Sequence, residues 1–187
     1  MRRRNNGCCC QSSRRIGRGN DTEGGEPPVW CIYATVALVA VACYLNALGG
    51  DFVHDDIPAV VRNKDVLAQT PLTTLLKNDF WGTPMRDVNS HKSYRPLTTL
   101  TFRLNYLMSG LTTSWYHATN IALHAIACVL VTKVSLAVAS LRPGFAALTG
   151  LLFAAHPVHT EAVTGIVGRA DVLACIFFLL SFLAYHG

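Results

Sequence analysis

The sequence predicts an all-α, multi-spanning membrane protein with about four transmembrane helices, and three observations carry that prediction. Of the 187 residues 51% are apolar and only 14% charged, and the mean hydropathy is +0.31, a balance unusual for a water-soluble domain. Long apolar runs recur along the chain, separated by short polar clusters. The charge excess is local: Arg2, Arg3, Arg4, Arg14, Arg15 and Arg18 all precede the first run. The net charge of +5 is therefore a property of one end and not a basic face for nucleic acid.

Residues 1–28 are rich in Arg, Gly, Ser and Asn and close on Pro27-Pro28. They are expected to form a disordered basic arm, because so few apolar side chains cannot offset the entropy of ordering. Residues 29–48 are free of charge, and about twenty such residues cross the roughly 30 Å hydrocarbon layer. Their length argues against a cleaved signal peptide, and the arginines ahead of them place the amino terminus in the cytosol by the positive-inside rule. The seven cysteines, Cys8, Cys9, Cys10, Cys31, Cys43, Cys128 and Cys175, show neither metal-ligand spacing nor a disulfide framework.

The first span delivers Gly49-Gly50-Asp51-Phe52-Val53-His54-Asp55-Asp56-Ile57-Pro58 to the far side. Adjacent carboxylates repel each other, which tends to raise the pKa of one of them, and such a pair at a sheltered boundary can accept a proton from a hydroxyl or hold a cation. The plain alternative is a solvated turn of Asp and Pro. Residues 49–116 form one non-cytosolic loop in which two amphipathic surface helices are expected. The first, about 71–81, starts at Thr70-Pro71, carries Leu72, Leu75, Leu76 and Phe80, and ends at Trp81 as an interfacial anchor. The second, about 96–109, follows Ser93-Tyr94-Arg95-Pro96, with Leu97, Leu100, Leu104, Leu107 and Met108 on one face and Arg103 and Asn105 on the other. Both are too polar to span and read as helices lying in the membrane surface.

Residues 117–187 hold three further apolar segments. His117, Asn120 and His124 share one helical face, which should point into the bundle rather than into lipid. The segment from Phe145 to Ala155 is short for a span, so either Leu136 to Leu141 contributes or the helix continues through a kink at Pro157. Between it and the last run lies 156–171, with His156, Glu161, Arg169 and Asp171 among its polar residues. Counting crossings puts this cluster on the same side as Asp55 and Asp56, and two polar clusters converging beside a membrane point to a site. Arg169 suits a phosphate through its planar fork of donors; its bland role is an ion pair with Asp171 or Glu161. His156 and Glu161 suit an acceptor or the shielding of the carboxylates, and the bland role of His156-Pro157 is a helix cap.

Phe52-Val53-His54-Asp55-Asp56, Ser93-Tyr94-Arg95-Pro96-Leu97-Thr98 and His156-Pro157-Val158-His159-Thr160-Glu161-Ala162-Val163 through Gly168-Arg169-Ala170-Asp171 resemble the amino-terminal part of the transmembrane and tetratricopeptide-repeat-containing proteins, members of the glycosyltransferase C superfamily. The resemblance covers nearly everything after the arm. It implies a multi-pass enzyme of the endoplasmic reticulum membrane that transfers mannose from dolichyl phosphate mannose to Ser or Thr hydroxyls, notably on cadherin-type proteins. Carried over, Asp55 or Asp56 is the general base on the acceptor hydroxyl. Arg169, His156, Glu161, Asp171 and Arg95 are candidates for the donor phosphate or the acceptor. No cofactor and no metal are implied. The family's further spans and its array of helical repeats do not follow in this sequence, so it reads as a truncated bundle, expected to be inactive by itself.

Two other classes fit the same residues. In a non-catalytic membrane scaffold, or a regulator of reticulum calcium handling, the acidic stretch binds cations or a partner. In a transporter fragment Asp55 lies at mid-depth in a water-filled path.

Overall fold

The computed structural model describes residues 28–187, so the basic arm expected over 1–28 lies, but for Pro28, outside the described residues. Helix α1, Val29–Tyr44, begins after Pro28 and runs on as a 3₁₀ turn, Leu45–Gly49. Ile32, Val36, Ala40 and Tyr44 recur every fourth residue and are its buried stripe, while Trp30 and Leu38 lie exposed on the other side. A helix apolar all round is suited to lipid on one face and protein on the other.

The chain then forms a compact loop whose core sets Ala59, Val60, Val66 and Phe80 beside buried Asn63, Asp65, Asn78 and Asp79. A single π-type turn, Ile57–Val61, follows the acidic motif, and α2 is only Leu72–Leu75. The surface helix expected over 71–81 is therefore cut to one turn: the N–H groups of Asp79 and Phe80 donate to the carbonyls of Thr83 and Ser93, both at 2.7 Å, and not back along a helix, and the chain turns at Asp79. Its carboxylate accepts the backbone N–H groups of Trp81 (3.0 Å), Thr83 (2.9 Å) and His91 (3.1 Å) and the Ser90 hydroxyl (2.6 Å). An Asp side chain that gathers backbone donors in this way stabilises the turn that stands in place of the helix. Trp81, expected as an anchor in the interface, is instead half-buried, 5.7 Å from Phe80 and 5.9 Å from His91 between ring centroids. Asp65 does similar work nearby, accepting from Thr70 and, at 2.8 Å, from Asn78.

Burial pushes the Asp79 carboxyl up, but the hydrogen bonds from Ser90, Thr83, Trp81 and His91 outweigh it and hold the group below its ordinary value of 3.8. A carboxylate depressed in the folded state stabilises it above the unfolded pKa of about 3.9, and that contribution is lost as pH falls through the lower folded value. With Trp30 and Trp115 replaced by Phe, Trp81 emission should hold steady from neutral pH to about pH 4 and change only below it. A transition near pH 6, or one that persists in Asp79→Asn, is incompatible with this assignment.

Helix α3, Pro96–Ser109, matches the second expected helix, opening on proline at its first position. Its polar face turns inward: Thr98, Thr99, Phe102 and Asn105 are buried, while Leu97, Leu104, Leu107 and Met108 are exposed. An apolar outer face ending near the exposed Trp115 suits the membrane interface.

Helix α4, Thr113–Ala137, is the central element and packs on α1, on α5, Pro143–Ala155, and on α7, Arg169–His186. His117, Asn120 and His124 are buried on its inner side, as their spacing predicts. α4 stops at Ala137 and α5 at Ala155, with Pro157 opening a separate 3₁₀ turn, Pro157–His159. Neither route to lengthening the third segment is taken, and thirteen residues at about 1.5 Å each fall short of the bilayer core. Among the described residues three helices are long and apolar enough to cross a membrane: Val29–Gly49, α4 and α7. At Gly150 α5 crosses α4 so closely that a Cβ would fall 2.1 Å from Thr132 Oγ1 and 3.0 Å from Val36, the kind of small-residue contact that lets membrane helices approach. A short helix α6, Thr160–Thr164, and a turn then lead into α7.

Candidate active site

The acidic motif folds on itself before it meets anything else. His54 adopts the left-handed region, φ 44°, a conformation uncommon outside glycine that tends to persist where surrounding contacts fix it. Here those contacts come from Asp56, whose N–H donates to the Val53 carbonyl at 2.8 Å while its Oδ2 accepts the Val53 N–H at 3.0 Å. The other oxygen, Oδ1, accepts the N–H of Val167 at 3.0 Å, joining positions 111 residues apart. Asp56 is buried. Its neighbour Asp55 is exposed, and among the described residues its carboxylate has no hydrogen-bond partner.

The second polar cluster is built as a tight return. His156 Nδ1 accepts the Val158 N–H at 3.2 Å, the capping role read from His156-Pro157, and the His156 carbonyl receives the Tyr44 hydroxyl of α1 at 3.2 Å. α6 and the 165–168 turn then fold so closely that a Cβ on Gly168 would lie 2.6–2.8 Å from the backbone of Ala162. Only a residue without a side chain fits there, and the contact places the Val167 N–H opposite Asp56.

Together the two clusters enclose a cleft of about 520 Å³. Asp55, Asp56, Glu161 and Asp171 bring carboxylates to its walls, and His54 and Arg95 are the residues of opposite character. Arg95 is exposed, its guanidinium 5.1 Å from the Phe80 ring centroid. His156 does not line the cleft. His159, which sequence reasoning did not single out, turns away into a smaller cavity of about 170 Å³ that shares Ala162 and Asp171 with it. There it packs on Phe153 at 4.3 Å and near His124 at 5.3 Å. Burial, and then the neighbouring His156, push its imidazole below the ordinary 6.5, so it is neutral at pH 7. Among the described residues no three His, Cys, Asp or Glu side chains converge on one point.

Arg169 is placed otherwise than its motif suggests. It is completely buried and does not line the cleft, and it pairs with neither Asp171 nor Glu161. Its Nε donates to Asn120 Oδ1 at 2.7 Å, Nη1 to Asn105 Oδ1 at 2.6 Å and Thr101 Oγ1 at 3.2 Å, and Nη2 to the Tyr116 carbonyl at 3.0 Å. The Phe102 ring lies 4.5 Å from the guanidinium carbon. Asn120 passes the linkage on through Nδ2 to the carbonyls of Gly165 and Ile166, at 3.0 and 3.3 Å. A buried guanidinium with its donors so occupied ties α3, α4 and α7 together instead of meeting a phosphate. Asn105 and Tyr116, which complete this cradle, carry no sequence signal beyond helical position.

The latch at Asp56 gives a direct expectation. An amide has one acceptor oxygen, so in Asp56→Asn the NH₂ must face one of two backbone N–H groups and leave it unpaired, at a cost of about 1–3 kcal/mol. Asp56→Asn should therefore lower the melting temperature in detergent, whereas Asp55→Asn should not. Equal stability of the two variants would contradict the division of roles.

An all-α membrane protein with a carboxylate-rich cleft at one end of its helices is the class that these features define. No family model and no solved structure matches the chain. Curated relatives do. It is 53% identical over 150 residues to "Protein O-mannosyl-transferase TMTC3" of Mus musculus, covering 80% of this chain and 16% of that protein. It is 49% identical over 153 residues to "Protein O-mannosyl-transferase Tmtc1" of Drosophila melanogaster, 82% and 18% of the two chains. To "Protein O-mannosyl-transferase TMTC4" of Homo sapiens it is 47% identical over 172 residues, 85% and 23%. The chain belongs to this family, the transmembrane and tetratricopeptide-repeat-containing proteins. It spans 16–23% of the length of these relatives.

Proposed function

We propose that the chain carries the carboxylate-bearing part of a protein O-mannosyltransferase site, with dolichyl phosphate mannose as donor and Ser or Thr hydroxyls of secretory proteins, cadherin-type domains among them, as acceptors. The observation that carries the reading is the pairing in one cleft of a held carboxylate, Asp56, and a free one, Asp55. Asp55 takes the proton of the acceptor hydroxyl while that oxygen bonds to C1 of mannose. The C1–O bond to phosphate breaks, and its electron pair leaves with the lipid phosphate. Asp56 sets the loop geometry, and Glu161 and Asp171 are placed to accept hydrogen bonds from sugar or acceptor hydroxyls. Of the arginines Arg95, which lines the cleft, is the phosphate contact. In this reading the protein is multi-pass in the endoplasmic reticulum membrane, with a cytosolic amino terminus and a lumenal cleft.

The test is mannose incorporation into a cadherin-domain acceptor by membranes containing a full-length family protein in which this chain replaces the matching residues, comparing polyprenyl phosphate mannose with a nucleotide-linked mannose. Incorporation from the lipid donor alone is expected. Incorporation from the nucleotide donor, or none from either, overturns the proposal.

A further inference from the structure

The smaller cavity that His159 enters has no part in the chemistry of the cleft. α4, α5, α6 and α7 meet around it, and Ala127, Ala162 and Cys175 are small where α5 makes its last turn, which leaves the space open. Phe153 and His159 wall it with rings 4.3 Å apart. Its interior carries no charge: His124 keeps Nε2 on the Ala154 carbonyl at 3.3 Å, and burial holds the His159 imidazole neutral at pH 7. Among the described residues its lining holds one carboxylate, Asp171, which is exposed and belongs to the edge shared with the cleft. The volume of about 170 Å³ is that of a side chain, since apolar cavities of roughly 150 Å³ take a benzene-sized group.

We infer that this cavity takes the side chain of an apolar residue, of leucine or phenylalanine size, immediately before or after the acceptor Ser or Thr. The protein then selects acceptors by an apolar neighbour as well as by a hydroxyl, an inference that rests on the mannosyl-transfer reading for the acceptor itself. The joint between the two spaces carries it. Ala162 and Asp171 line both and belong to the 156–171 side of the cleft, whereas Asp55 belongs to the acidic motif on the other. Successive side chains of an extended peptide point to opposite faces, so a residue whose hydroxyl turns to Asp55 turns its neighbours to the shared edge. A charged neighbour would strand its polar group among apolar walls, and an alanine would leave the space unfilled. Because the cavity holds a residue beside the reacting one, in the ground state and the transition state alike, its contribution falls on KM and not on kcat.

The test uses the full-length family protein in which this chain replaces the matching residues, a lipid-linked mannose, and peptides that differ only beside the threonine: Ala-Thr-Ala, Leu-Thr-Ala and Ala-Thr-Leu. One of the two leucine placements should lower the peptide KM about tenfold with kcat unchanged, and aspartate in that place should raise it. Cys175 is half-buried at the cavity wall. Cys175→Phe fills the space and should remove the leucine preference while transfer to the alanine peptide and the melting temperature stay unchanged; should it melt lower, Cys175→Leu is the smaller filling and should give the same loss. Equal KM for the three peptides, or a leucine preference that persists in the folded filled variant, overturns the inference. Binding is read apart from transfer with a diazirine analogue of leucine at each flanking place, the labelled residues being mapped after irradiation. Labels are expected on Phe153, His159 and residues 172–175, with competition by the leucine peptide and not by the alanine peptide. Labels confined to residues 53–56, or carried by membrane lipid, overturn the inference. If labels fall in the cavity and no mannose is transferred, the transfer reading fails and the side-chain pocket stands. If transfer proceeds from the lipid donor with one KM for all three peptides, only the pocket fails.

Discussion

Arg169→Met should destabilise the protein by about 3–5 kcal/mol, the range for removing one partner of a buried charged network. At roughly 2–4 °C per kcal/mol for a chain of this size, that is a fall of about 6–20 °C in melting temperature. The loss follows from what methionine leaves behind. Asn120 Oδ1, Asn105 Oδ1, Thr101 Oγ1 and the Tyr116 carbonyl all accept from this one guanidinium, and Asn120 and Asn105 are themselves buried, in a site where Arg169 is 0% exposed. The Phe102 ring also loses the cation 4.5 Å away. Arg169→Lys keeps the charge but offers three donors from a single point, and cannot reach acceptors arranged around a planar fork. It should lie between wild type and Arg169→Met. Because Asn120 carries the linkage to the 163–166 carbonyls, the effect should extend to the cleft as faster hydrogen exchange at Val167. A melting temperature within about 2 °C of wild type for Arg169→Met would mean that the network does not hold α3 to the bundle.

That a motif arginine is a tie and not a ligand was beyond the reach of the sequence, because its partners are 49 to 68 residues away on other helices. What could be read were features encoded within one turn of helix or by long uncharged runs. Pro96 followed by leucines at helical spacing gave the bounds of α3. His117, Asn120 and His124 announced a buried face of α4. The apolar runs marked the helices long and apolar enough to cross a membrane, and 156–171 does meet the acidic motif, where Val167 N–H donates to Asp56, although the count of crossings behind that expectation included α5, which at 13 residues is too short to span. The reading of 71–81 failed because its leucines are helical in pattern while Asp79 draws its donors from residues as far on as His91, a tertiary arrangement that overrides a local one. The inward turn of Asn105 was missed for a related reason. On a helix at a membrane surface the apolar side faces lipid, so the polar side becomes the protein-facing one.

Asp55→Asn is expected to lower mannose transfer by about 10²–10⁴-fold, the usual contribution of a positioned general base. Consecutive residues of the same type are separated here by their surroundings. Asp56 has both oxygens engaged by backbone N–H groups, which leaves it poorly placed to move toward a substrate hydroxyl. Asp55 lines the same cleft, is exposed and, among the described residues, has no partner to release before it can accept a proton. An amide at position 55 preserves size and polarity but cannot take the proton, so the loss should fall on kcat, with the KM for the lipid donor and the melting temperature unchanged. Asp56→Asn should show the opposite pattern, with stability falling and residual activity following the folded fraction. Measured side by side in the same membranes, the two variants separate chemistry from architecture. Transfer by Asp55→Asn at the wild-type rate would remove Asp55 as the base, and equal losses of kcat and of melting temperature in both variants would make the pair one structural unit.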